Sequence, residues 1–352
     1  EYIYSPFEKG GKGGFKKFNI FCETCLLLIL ALMLIVMCGC EHRVKKTQFL
    51  FGTIADITVI AKTKNDENAL DSAFEAMKST DEMLSVYNSS SEVSKVNQNA
   101  GQSAVKASQD TFAVIEKAIE FSQLSDGAFD VSVGPLVNLW GFGTAKNHVP
   151  SDDEIAQNLP LVDYKKIILD RPNKTVKLAI KGMKIDLGAI AVGYAVDKAL
   201  GVLKEKGIKN ALVNGGGEIY ALGSPPRKSA WRVGIQHPRK HGDILGTIDL
   251  KDKAISTSGD YENYFEANGK RYCHILNPKT GKSVEDIISV TVVADNTTDA
   301  DALSTTIMIM GEKKGMELAK RLGVDCIVVT GTNEKDMKIS ITDGLKDKFK
   351  LF

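Results

Sequence analysis

The order in which strand-like and helix-like segments follow one another limits this chain more than any single motif does. Alternating stretches rich in Val, Ile and Thr at 49–62, 165–169, 175–180, 211–222, 231–236, 246–250, 254–257, 325–330 and 337–341 read as strands. Apolar residues at helical spacing mark 66–84, 110–124, 190–206, 299–310 and 313–322. The strand-like pieces at 231–257 follow one another as a meander, and two helices then precede the last two strands. A doubly wound sheet needs strands and helices in regular turn, so an α+β fold in one large mixed domain is expected instead. Ser and Asn dominate 88–100, which reads as loop, and 125–150 is Gly-rich and aromatic without periodicity. Ser151 with Glu154 has the spacing of a capping box that opens a short helix.

The N-terminus has a different character. The chain opens on Glu1 and its first Met is Met33, so we expect the true start to lie elsewhere. Lys9, Lys12, Lys16 and Lys17 precede an apolar run, LLLILALMLIVM at 26–37, which ends in Met37-Cys38-Gly39-Cys40. Twelve helical residues reach roughly 18 Å, short of the ~30 Å hydrocarbon core. The pattern is that of an export signal, and MCGC resembles a bacterial lipobox with Cys40 as the lipid-bearing residue. A single membrane anchor is the other reading. The signal reading makes residues 1–40 the signal, 41–47 a polar tether and 48–352 the folded domain, and both readings place that domain outside the cytoplasm. Cys22 and Cys25 lie in the signal, which leaves Cys273 and Cys326 as expected core or edge residues rather than a disulfide framework. With 45 basic and 44 acidic residues the chain has no field to hold nucleic acid.

Four segments combine Gly, small residues and single acids in ways that suit chemistry. SDGAFDVSVGPLVNLWGFG at 125–143 offers permissive backbone and flat aromatic surfaces, or simply a buried irregular loop. DLGAIAVGYAVD at 186–197 sets Asp186 and small residues before a helix, whose free N–H groups suit a phosphate; a plain helix start with tight packing reads equally well. STSGDYENYFEANGKRYCHILNPKTG at 256–281 carries His274, either a structural histidine or a catalyst. Asp301 and Thr305 in TDADALSTT at 298–306 are i and i+4 on one helix face, hard oxygen ligands fit for Mg²⁺, although acids also simply favour a helix start.

Together, and in this order, these segments resemble the bacterial FAD:protein FMN transferases, the ApbE family. The resemblance adds FGT at 51–53, LSVYNSSSEVSKVN at 84–97 and NGGGEIYALG at 214–223, and it runs from about residue 47 to the end of the chain. It implies an α+β domain of the flavin-transferase, T-fold-like type. It also implies an enzyme that moves the FMN part of FAD onto a Thr or Ser hydroxyl of a partner protein and releases AMP, with Mg²⁺. The implied metal ligands are Asp301, Thr305 and the Ala189 carbonyl, and the implied flavin contacts are Phe51, Ala128, Phe129, Asp130, Asp186, Val192 and Ile275. His274 is the first candidate base and Asp301 the second. Val192 stands where the family has Lys or Glu, and Asn277 where it has Asp, which implies a looser site. Implied acceptors are exported or membrane subunits of ion-pumping redox complexes. Two rival readings are an FAD pyrophosphatase, with water as acceptor, and a flavin-binding lipoprotein without turnover.

Overall fold

Both faces of the central sheet are covered, and this explains its most completely buried strand. Ile287–Ala294, IISVTVVA, is buried along its whole length. Val290 and Val292 join the helices on one side, while Ile288 and Val293 join a small sheet on the other. The computed structural model describes residues 41–144 and 146–352. The signal and lipidation readings, including Cys40, lie outside those residues. From Arg43 to Phe352 the chain is one compact unit. No helix among the described residues is long and apolar enough to cross a membrane.

The central sheet has eight strands, in the order His42–Leu50, Thr53–Ala61, Ala211–Asn214, Ile219–Leu222, Lys253–Gly259, Ile287–Ala294, Asp325–Thr330 and Lys338–Ile341. From Thr53–Ala61 onward the neighbours are antiparallel, with Thr257 opposite Thr291 and Val292 opposite Cys326. Helices Lys64–Leu84, Ala191–Glu205 and Thr297–Met310 cover one face and supply Phe74, Met77, Leu203 and Ile307 to the main core. Trp231–Gln236, Ile244–Leu250 and Phe349–Leu351 form a three-stranded sheet on the other face. Trp231, Val233 and Ile235 are buried and the residues between them exposed, as a strand with one wet face requires.

Several expectations are corrected. All but the first residue of the tether expected at 41–47 belongs to the strand His42–Leu50, and the single strand expected at 49–62 is a hairpin that turns at Phe51 and Gly52. Phe51 adopts φ 53°, a turn conformation that alternation cannot announce. The loop expected at 88–100 contains helix Glu92–Gln98, capped by Ser91. Its Ser and Asn content reflects capping and turn duty at both ends. Helix Gly134–Trp140 lies within 125–150, opened by Pro135 and closed by Gly141 at φ 76°. The expected meander is split, because Lys253–Gly259 joins the central sheet and the two strands before it form the small one. The capping box at Ser151 and Glu154 is present. Cys273 and Cys326 are buried and free.

Candidate active site

Helices Ala191–Glu205 and Thr297–Met310 touch where Gly193 removes the side chain. A Cβ at Gly193 would stand 2.5 Å from the Thr297 carbonyl oxygen and 2.8 Å from Asp301 Cβ. The same close approach lets the Gly193 N–H donate to Asp301 Oδ2 at 2.9 Å. Further along the first helix, Asp197 accepts from the N–H groups of Thr297 (2.9 Å) and Thr298 (2.8 Å), satisfying donors at the start of the second. The acid that ends DLGAIAVGYAVD therefore fixes the helix that carries Asp301 and Thr305.

The run Gly215-Gly216-Gly217 folds a hairpin against this pair. Asn214 Oδ1 accepts from the Gly216 and Gly217 N–H groups at 3.0 and 2.9 Å. Gly216 has φ 105°, and a Cβ there would lie 2.4 Å from Thr53 Cγ2. Val192 Cγ1 sits 2.8 Å from where a Gly215 Cβ would be. The apolar residue in the motif is thus packed against the hairpin backbone.

These elements enclose a cavity of about 1040 Å³. That is at or above the ~300–1,000 Å³ common for drug-sized ligands, so it suits a larger one. Phe51, Phe129, Asp130, Asp186, Ala189, Val192, His274, Ile275, Asp301 and Thr305 all line it. Ala128 is buried beside it and is not among its lining residues. Asp186 is half-buried; its N–H donates to the Val131 carbonyl at 2.8 Å, tying two lining segments together, and Oδ1 accepts from Gly188 N at 2.9 Å. Both Asp130 oxygens are used internally, by Ser132 and by the Tyr164 N–H. Asp130 thus shapes the loop that carries Phe129.

The electrostatics are one-sided. Asp81, Asp130, Asp186, Glu218, Glu262 and Asp301 line the cavity, and among the described residues no Lys or Arg does. Burial raises the carboxyls of Asp301, Asp186 and Asp130 above the ordinary range. Burial also raises Glu218, and the Asp301 charge adds to the rise. Glu218, Glu262 and Asp81 were not singled out from sequence. The only signal for Glu218 was its place directly after the glycine run.

His274 is half-buried, and burial lowers its pKa. Its Nδ1 lies 3.1 Å from the Asn263 carbonyl oxygen, which can only accept, so Nδ1 carries the proton and Nε2 keeps its lone pair. Among the described residues no three His, Cys, Asp or Glu side chains form a ready metal cage. The oxygen set is mixed instead. Buried Asp301 has one oxygen on Gly193, Thr305 Oγ1 is 3.0 Å from Ser258 Oγ, and Ala189 lines the same wall. Few protein oxygens and open positions suit Mg²⁺, which keeps waters and phosphate oxygens around it.

Known proteins share this fold and much of this sequence. The model of the ApbE family matches residues 51–328. The FAD:protein FMN transferase of Vibrio cholerae is 33% identical over 319 residues, covering 87% of this chain and 94% of its own length. The enzyme of that name from Treponema pallidum is 30% identical, covering 94% and 97%. Among solved structures, the ApbE protein of Thermotoga maritima is 34% identical with a TM-score of 0.81, covering 87% of this chain and 99% of that one. The flavin transferase ApbE of Vibrio cholerae gives 32% and 0.77, covering 88% and 99%. With a family match over most of the chain and solved relatives aligned over nearly their whole length, this protein belongs to the ApbE family.

Proposed function

We propose that this chain is an FAD:protein FMN transferase that joins the FMN part of FAD to a Thr or Ser hydroxyl of a partner protein. The observation that carries the reading is the cavity wall: among the described residues, six acids and no Lys or Arg surround a space large enough for a dinucleotide. An anionic pyrophosphate has no side-chain cation to meet there, so it needs a divalent ion. Asp301, Thr305 and the Ala189 carbonyl would hold Mg²⁺, which when bound neutralises pyrophosphate oxygens and charge on the departing AMP.

The protein's own residues supply the rest. Phe129, Ile275 and Phe51 offer apolar walls to the flavin ring, and Asp186 stands at the helix start as an acceptor for polar groups of the nucleotide. His274 Nε2 takes the proton from the acceptor hydroxyl as its oxygen bonds to the FMN phosphorus. The bond from that phosphorus to the bridging oxygen breaks, and AMP leaves with the oxygen. The product is a phosphoester. Asp301, committed to Gly193 and to the metal, is the weaker candidate base.

The same site with water in place of the hydroxyl would give free FMN and AMP, and Val192, which brings no charge to the cavity, leaves simple flavin retention as a third outcome. Acceptors belong among exported or membrane subunits of ion-pumping redox complexes. The 26–40 sequence supports tethering through Cys40 to the outer face of the cell membrane. The test is product analysis after incubating the full chain with FAD and Mg²⁺, with and without a flavin-acceptor domain. Acceptor-dependent AMP release supports transfer; equal AMP and free FMN in both arms contradicts it.

A further inference from the structure

We infer that Arg239 is a positioning residue for His274, acting through its largely buried ion pair with Asp260 and the turn that follows Asp260. The inference rests on His274 as the proton acceptor, the reading above.

Arg239 lies on the loop between the first two strands of the small sheet, outside the cavity wall. Its Nη1 and Nη2 donate to Asp260 Oδ1 and Oδ2 at 2.7 and 2.6 Å, a two-toothed fork. The two side chains are only 12% and 15% exposed, so this is not a solvated surface pair. The guanidinium is itself fixed, with Nε donating to the Thr332 carbonyl at 3.2 Å and Nη1 to the Pro238 carbonyl at 3.0 Å. The loop backbone is held as well, since His237 Nδ1 accepts from the N–H groups of Arg239 and Lys240 at 3.2 and 3.1 Å.

Asp260 transmits this rigidity. Its own N–H donates to the Ile288 carbonyl at 2.9 Å, anchoring the turn to the central sheet. The next three residues, Tyr261, Glu262 and Asn263, line the cavity. The Asn263 carbonyl then accepts twice from His274, from the backbone N–H at 2.9 Å and from Nδ1 at 3.1 Å. One oxygen therefore sets both the place of His274 and which ring nitrogen is protonated. Phe142 meets the ring edge-on at 6.5 Å but brings no hydrogen bond.

The ion pair has little backup. Arg271 Nη1 is 3.9 Å from Asp260 Oδ1, while its guanidinium is held 4.0 Å over the Tyr264 ring. Removing one member of a largely buried pair leaves the other charge poorly compensated, and the chain relieves this by moving that charge toward water. For Asp260 such a shift carries Asn263 with it and loosens the imidazole.

The test reads the ring directly. The chain has five histidines, so ¹⁵N-histidine labelling of the full chain is tractable, and the His274 pair is identified by its loss in His274→Gln. The wild-type ring should show one protonated and one lone-pair nitrogen. Arg239→Gln should average the two, and lower kcat for FMN transfer about ten- to a hundredfold with KM for FAD little changed. Asp260→Asn keeps the shape, removes the charge and should do the same, which covers the case where Arg239→Gln does not fold. A purely structural ion pair would lower Tm and leave the His274 nitrogens distinct, and that result in either variant overturns the inference. If the nitrogens average but His274→Gln transfers at the wild-type rate, the positioning stands and the assignment of His274 as base fails.

Discussion

Gly193→Ala tests whether the helix contact builds the site. Two effects oppose each other. Alanine is a better helix former by about 1 kcal/mol, so a free position in Ala191–Glu205 would gain stability. Position 193 is not free: the new Cβ meets Thr297 oxygen at 2.5 Å and Asp301 Cβ at 2.8 Å, and both belong to a packed helix. Overpacking of this kind costs about 1–3 kcal/mol. If the helices part to make room, the bond from Gly193 N to Asp301 is lost, a bond to a charged group worth about 1.5–3 kcal/mol. The clash and the lost bond outweigh the propensity gain, for a net loss of about 1.5–5 kcal/mol. Gly201 is the internal control, because it sits on the same helix with nothing within 4 Å of a new Cβ. Gly201→Ala should be neutral or stabilising by up to about 1 kcal/mol. Thermal unfolding measures both, and titration with Mg²⁺ in the presence of FAD measures the site, where Gly193→Ala should bind at least about tenfold more weakly. Unchanged stability and metal affinity in Gly193→Ala would refute the account of this contact.

Three further outcomes follow from the cavity. Burial lowers the His274 pKa, so its base form persists below the ordinary value of 6.5, and the acid limb of kcat should fall below that pH; a limb above pH ~7 in the rate profile contradicts it. Burial raises Glu218 above the ordinary 4.5, so above that pH the folded apo chain keeps a proton that the unfolded chain has released. Its contribution to stability therefore falls as pH rises, and Glu218→Gln should flatten the decline of apo Tm between about pH 5 and 8; parallel curves contradict it. Val192→Lys adds a cation to a wall with no Lys or Arg among the described residues and should tighten FAD binding in EDTA about tenfold, read by calorimetry; an unchanged Kd contradicts the picture of an uncompensated pyrophosphate.

Much of this was legible because apolar periodicity survives folding. The helices at 64–84, 109–124, 191–205 and 297–310 stand where the spacing put them. Asp301 and Thr305 face one cavity because i and i+4 share a helix face. What stayed hidden depends on partners distant in the chain. The Gly193–Asp301 bond spans 108 residues, and the tie between Asn97 and the Ile185 backbone spans 88. Asp197 gave no local sign that it caps a helix a hundred residues on. The strand Ile287–Ala294 shows no alternation, because it is buried on both faces. Ala128, placed in the site by resemblance, is buried beside a cavity lined by its neighbour Phe129.

The most direct test is the intact mass of an acceptor domain carrying a target Thr, after incubation with the full chain, FAD and Mg²⁺. The account predicts a gain of one FMN, lost with EDTA and lost in Asp301→Ala. An acceptor that stays unmodified while FAD is split to FMN and AMP, or a full gain of FMN in Asp301→Ala, would contradict it.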